Sequence, residues 1–144
     1  MEYKELTEKM IGCAMKVHQA LGPGFLESVY QKALAHELCK AGLVVECEKA
    51  IKVLYDNVIV GDFSADMLVE GTVMVENKSV QALVAGHEVQ LVNYLTATGI
   101  EVGLLLNFGS ASLEFKRKTR IYRPKSPYRT LGRPASGGKS CKSC

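Results

Sequence analysis

The sequence predicts an α/β chain of the mixed α+β kind, a mixed β-sheet flanked by helices. Three observations carry that expectation. Two helical stripes precede three Val- and Ile-rich strands, a third helical stripe follows, and an almost continuously apolar run comes after it. Leu6, Met10, Cys13, Ala14, Val17 and Leu21 recur every three or four residues, so 6–21 reads as an amphipathic helix. Gly22-Pro23-Gly24 stops it, because proline cannot continue the hydrogen-bond ladder. A second helix is expected over 25–41, with Leu26, Val29, Tyr30, Ala33, Leu34, Leu38 and Ala41 buried and Gly42 as its stop. Residues 43–55 and 58–69 read as strands about an Asp56-Asn57 turn, and 72–80 as a third strand after Gly71. Helical spacing returns over 84–98, through Val84, Leu91, Val92, Leu95 and Thr98, and Gly99 ends it. Residues 102–108 suit a strand covered on both faces. Residues 113–122 suit an edge strand blunted by Lys116, Arg117, Lys118 and Arg120. From Pro124 onward Pro, Ser, Gly, Lys and Arg dominate without a period, so one domain is expected over 1–123 and a basic, disordered tail over 124–144.

Composition narrows the function classes. The 144 residues make one domain's worth of chain, 47% apolar and 23% charged. No apolar run approaches the roughly 20 residues of a membrane span, and the opening MEYKELTEKM lacks the apolar core of a signal peptide. Five cysteines, three of them inside regular patterns, suggest no disulfide scaffold, so a reduced, cytoplasmic protein is expected. The net charge of +3 conceals an asymmetry. Residues 1–115 carry all 15 Asp and Glu but only 8 of the 18 Lys and Arg, whereas the rest has 10 Lys or Arg and no acid. An acidic body with a basic arm suits an anionic partner, nucleic acid first, or else a merely solubilising tail.

The polar residues that do not simply face solvent gather around the turn at Gly71. Glu76 and Lys78 are two apart on one strand and share a face. Asp66, on the preceding strand, joins them only if opposite residues have an even sum. That register also sends Ala65, Met67, Val69, Val73 and Val75 to the other face, so burial selects it. Two carboxylates can hold Mg²⁺ (or Mn²⁺) through oxygen, and the metal neutralises phosphodiester charge and acidifies water. A neighbouring lysine can orient that water or stabilise the transition state. The plain alternative is a cross-strand ion pair on an exposed sheet face.

Resemblance favours the chemical reading. Asp66, nine residues and then Glu76-Asn77-Lys78 is similar to the D…ExK pattern of the PD-(D/E)XK nuclease superfamily. LGPGFLESVY over 21–30 resembles the hallmark of the GxxExxY protein family, with Gly24, Glu27 and Tyr30 at the named positions. The stretches IGCAMKVHQALGPG, SADMLVEG and HEVQLVNYL resemble that family in order and spacing, over about 6–122. The resemblance implies a restriction-endonuclease-like core. It implies Asp66, Glu76 and the carbonyl of Asn77 as metal ligands, Lys78 as the catalytic lysine, and Glu27 as an extra acidic residue. Gln90 and Tyr94 match the QxxxY motif of the RecB-like branch, which supports the site or contacts DNA, and His87 shares their helix face. Asn77 stands where an apolar residue is more usual, and its side chain needs a hydrogen-bond partner if buried.

Other candidates carry an ordinary structural reading beside the functional one. His18 could reach the pocket of Glu27 or be a bonded core histidine, and Tyr30 suits packing with a bonded hydroxyl. Cys141 and Cys144 form a CxxC without the second ligand pair that zinc needs. Lys116, Arg117, Lys118 and Arg120 are the substrate-binding candidates. The function expected is a Mg²⁺-dependent nuclease hydrolysing phosphodiester bonds in DNA, with a homodimer as one form it could take. The alternative is a non-catalytic nucleic-acid-binding or protein-interaction module that kept the fold.

Overall fold

The computed structural model describes residues 2–121 and the backbone of the strand at 128–131. The apolar stripe that opens the chain folds as helix α1 (Tyr3–Leu21), burying Leu6, Met10, Ala14, Val17 and His18. Tyr30 then decides the GPG connection. Its hydroxyl donates to the Gly22 carbonyl at 2.5 Å and accepts the Phe25 N–H at 3.1 Å, while its ring stacks on Phe108 with centroids 4.7 Å apart. Helix α2 (Glu27–Lys40) starts two residues later than the spacing predicts. Leu26, expected in its buried stripe, precedes the helix and is 78% exposed, and Val29 is also exposed. The stripe is instead Tyr30, Gln31, Leu34, Ala35 and Leu38, because the Tyr30 clamp sets the rotation of the helix.

The strands are β1 (Val45–Tyr55), β2 (Val58–Val69), β3 (Val73–Lys78), β4 (Val102–Asn107) and β5 (Glu114–Thr119), with helix α3 (Ala85–Thr98) between β3 and β4. Asp56 and Asn57, both at positive φ, turn β1 into β2. The first three strands pair antiparallel, β3 and β4 pair parallel across the α3 crossover, and β5 returns antiparallel as one edge. Two cores result. Helices α1 and α2 pack on Met67, Val69, Val73, Val75, Leu104 and Leu106, and α3 packs on Leu68, Met74 and Leu105 from the other side. Every residue of β4 is buried, as the apolar run requires.

The β2–β3 register has the even sum that burial selects, with Met67 opposite Val75 and Val69 opposite Val73. Ala65 departs from the expectation. It packs with Ile51 and Leu68 in the α3 core, not with Met67 and Val69. The cause lies at Glu48, whose φ of 55° interrupts β1, so the ladder runs from Cys47↔Met67 to Lys49↔Ala65 with no pair between Glu48 and Asp66. Alternation holds on each side of that interruption but is reset across it.

Two further expectations change. The tail was expected without structure from Pro124, yet Tyr128–Leu131 forms β6, antiparallel to β1 at Lys52–Tyr55, which completes a six-stranded sheet ordered β5-β4-β3-β2-β1-β6. Backbone pairing on an open strand edge needs no apolar pattern, so the sequence carries no periodic signal for it. The rest of the tail, with Cys141 and Cys144, lies outside the described residues. Cys39 and Cys47 are each disulfide-bonded, whereas Cys13 is free. The expectation of no disulfide is therefore not met, since an odd cysteine count does not exclude bonds among its members.

Behind β3 and β4 the chain closes tightly. The buried Asn107 side chain accepts from the Val80 and Gly109 N–H groups and donates to the Val80 carbonyl and Glu114. A Cβ on Gly109 would stand 2.4 Å from the Val80 backbone nitrogen, whereas one on Gly103 would meet only the side-chain tips of Leu91 and Leu95. Gly109→Ala is expected to lower unfolding free energy by about 3 kcal/mol and Gly103→Ala by less, read by denaturant titration. Equal losses would mean that the Val80 turn relaxes freely.

Candidate active site

The interruption of the sheet makes the site. The β2–β3 ladder ends at Met67↔Val75, and the next position would set Asp66 against Glu76. There the pairing is replaced by a side-chain bond, the Asn77 N–H donating to Asp66 Oδ2 at 2.8 Å. Asp66 sits where the sheet passes from one core to the other. Groups from both helical layers accordingly act on it: Glu27 opens α2 on one side, and the Tyr94 hydroxyl of α3 feels both carboxylates from the other.

Electrostatics single out Glu76. It is only 7% exposed, and its Oε1 is buried without a hydrogen-bond partner. Burial pushes its pKa up to about 8, and the Asp66 charge pushes the same way, while Lys78 opposes them. Asp66 is also raised, first by burial and then by Glu48 and Glu27, against the Asn77 amide and Lys78, which favour its ionised form. Lys78 thus faces both carboxylates, as the shared strand face requires. A buried oxygen with no donor beside a second carboxylate is the hard, anionic pair that a divalent cation would neutralise, so these residues fit Mg²⁺ or Mn²⁺. Among the described residues no three His, Cys, Asp or Glu side chains are gathered closely enough to hold an ion. The carboxylate contribution is therefore a pair, and Mg²⁺ commonly fills its remaining positions with water and phosphate.

Tyr94 and Gln90 stand one turn apart on α3, with Gln90 Nε2 donating to the Tyr94 oxygen at 3.0 Å. Phe63 stacks on Tyr94 with centroids 3.8 Å apart, which fixes the ring, and burial followed by Glu76 raises the phenol pKa. His87 serves the helix instead: its Nδ1 accepts the Val84 N–H at the first turn. A cleft of about 530 Å³ beside α3, lined by Val60, Phe63, Asn93, Tyr94, Ala97 and Ile121, meets the carboxylates only through Tyr94.

Several sequence candidates are placed elsewhere. His18 Nε2 donates to the Ser110 carbonyl at 2.9 Å, in the β4–β5 connection, so the structure gives it a bonding role at the base of the fold. Tyr30 holds the GPG loop as described. On the β5 edge Arg117 binds Thr7, Lys118 pairs with Glu88 at 2.7 Å and Arg120 pairs with Glu101 at 2.7 Å. Lys116 acts on Glu88 and Glu114. With β4 between β5 and the strand of Glu76 and Lys78, these four cations are not brought to the carboxylates. The side chain of Asn77 is buried against Met67, its amide donating to the sulfur at 3.5 Å and its Oδ1 left without a partner. Two residues beside the site carry no motif and escape a sequence reading: Glu48, and Gln31, whose Nε2 donates to Glu48 Oε1 at 3.0 Å. The one available signal was the spacing of Gln31, four residues after Glu27 on a helix face.

The raised pKa of Glu76 has a sign that can be checked. Between its ordinary 4.5 and about 8 the folded state binds the extra proton, so this group favours folding below that window and loses that effect as pH rises through it. In EDTA the Tm of the wild type should fall from pH 5 to pH 8 relative to that of Glu76→Gln. Parallel Tm–pH curves would mean that the carboxylate is not buried in its charged form.

A family model of the PD-(D/E)XK nuclease superfamily matches residues 4–118, which span both helical layers, Asp66, Glu76 and Lys78. No curated protein and no solved structure matches the chain significantly. With most of its length matched and the D…ExK residues converging at the break in the sheet, the chain belongs to the PD-(D/E)XK nuclease superfamily.

Proposed function

We propose that the chain is a divalent-metal-dependent nuclease of the GxxExxY type, within the RecB-like branch, hydrolysing phosphodiester bonds in DNA in the cytoplasm. The observation that supports it most is the buried, unpartnered carboxylate oxygen of Glu76 beside Asp66, with Lys78 on the same strand face. Asp66, Glu76 and the Asn77 carbonyl would hold Mg²⁺ or Mn²⁺, which supplies Lewis acidity toward the phosphate when bound.

The remaining work falls to the chain. Lys78 carries a positive charge beside both carboxylates, from where it orients the attacking water and offsets charge that grows on the phosphate in the transition state. The Asn77 amide favours the ionised form of Asp66 and holds its carboxylate in place. Gln90 and Tyr94, held by Phe63, line the α3 side, where they can position a strand against the site. Glu27, at the exposed start of α2, closes the opposite side.

Purified protein with labelled single- and double-stranded DNA and RNA, in Mg²⁺, Mn²⁺ or EDTA, tests the reading. Cleavage is expected with metal and not in EDTA. Lys78→Ala should slow it by about a hundredfold while leaving the Tm nearly unchanged. In the same protein Mg²⁺ or Mn²⁺ should raise the Tm by linkage, and Asp66→Asn with Glu76→Gln should abolish that rise. Metal-independent cutting, or a Lys78→Ala protein as fast as wild type, would overturn the assignment.

A further inference from the structure

Glu48 stands at a place where a glutamate is conformationally expensive. Its φ of 55° lies in the left-handed region, and it falls at the unpaired position of the β1–β2 ladder facing Asp66. Its carboxylate is not left to solvent alone: Gln31, buried on α2 one turn beyond Glu27, donates to Oε1 at 3.0 Å. The Glu48 charge acts on Asp66 and on Glu76, whose own Oε1 is more than nine-tenths buried and has no partner. The charges of Glu48 and Glu27 both act on Asp66, that of Glu48 also acts on Glu76, and the Lys78 ammonium opposes them at both carboxylates.

We propose that Glu48 is a positioning residue of the cation site: a carboxylate fixed by Gln31 outside the ligand set, whose charge raises the affinity of the Asp66–Glu76 pair for a divalent cation. The inference rests on the metal site proposed above. Glu48 acts through its field, since no three acidic side chains among the described residues are close enough to share an ion. At separations of several ångströms near a protein surface, one fixed charge changes divalent-cation affinity by about tenfold. Gln31 matters because a mobile glutamate would spread its charge over many positions. The bond from a buried helical amide keeps it at the break in the sheet.

Mn²⁺ alone, titrated into the full chain at a temperature well below the Tm and followed by electron paramagnetic resonance, tests this directly. Glu48→Gln keeps an oxygen that can accept from Gln31 and removes only the charge. It should weaken Mn²⁺ binding by about tenfold at unchanged stoichiometry, while the metal-free Tm stays the same or rises. Asp62→Asn, which removes a charge paired with Lys52 on the outer half of β2, should leave the affinity within twofold. A Glu48→Gln affinity within twofold of wild type, or an equal loss in Asp62→Asn, would overturn the role of Glu48. Failure of the metal reading is distinguishable: Mn²⁺ binding that survives Asp66→Asn with Glu76→Gln overturns the site itself, whatever Glu48 does.

Discussion

Asp66 and Glu76 set the terms for the rest of the molecule. Two carboxylates held close, one of them almost sealed from water, oppose folding unless something compensates, because desolvation and mutual repulsion both disfavour the charged forms. The fold meets part of that demand with two backbone amides, that of Asn77 toward Asp66 and that of Asp66 toward Glu76, and one ammonium, from Lys78. It leaves Glu76 Oε1 without any partner. The packed layers hold the arrangement in place. Met67 and Val75 anchor one core a residue away from the pair, and Leu68 and Met74 anchor the other. Buried polar groups left unsatisfied in an otherwise well-bonded protein call for a functional reason, and superfamily membership supplies one.

The break in the sheet explains how residues so far apart in sequence meet. In a regular strand each face is committed to one layer, so a helix on one side could not share a site with a helix on the other. At Glu48 and Asp66 the commitment is reset, and α2 and α3 both reach the same carboxylates. Asn77 shows what this costs. It lies between Glu76 and Lys78 and must point to the opposite face, where Met67 offers its amide a sulfur and its oxygen finds nothing.

How much of this could be read beforehand follows from where the information resides. The strands and helices were legible because burial imprints a period on the apolar residues, and the β2–β3 register because a slip by one would have put Asp66 on the face of Val73 and Val75. The D…ExK residues were legible as a spacing on one hairpin. Ala65 and Glu48 were not, since a left-handed glutamate leaves no mark on composition. Leu26 failed for a similar reason: the Tyr30 hydroxyl, not the apolar pattern, decides how α2 begins. The basic residues of β5 looked free in sequence, but Arg117, Lys118 and Arg120 are spent on Thr7, Glu88 and Glu101, which fasten the edge strand to α1, α3 and the start of β4. A contact between residues distant in the chain has no local signature.

The arrangement of strands also bears on the order in which the molecule is assembled. β3 and β4 run parallel, so β4 cannot join until α3 has been made and has crossed the sheet. The antiparallel run from β1 to β3 needs no such crossover, and its contacts are short in sequence, which favours early formation. Asp66 and Glu76 both belong to that run, on either side of the short turn at Glu70, Gly71 and Thr72. In a chain emerging from its N-terminus the two carboxylates are therefore drawn together by a local hairpin before β4 joins the edge of β3. Their repulsion is felt first by the nascent protein, at a stage when water can still reach both.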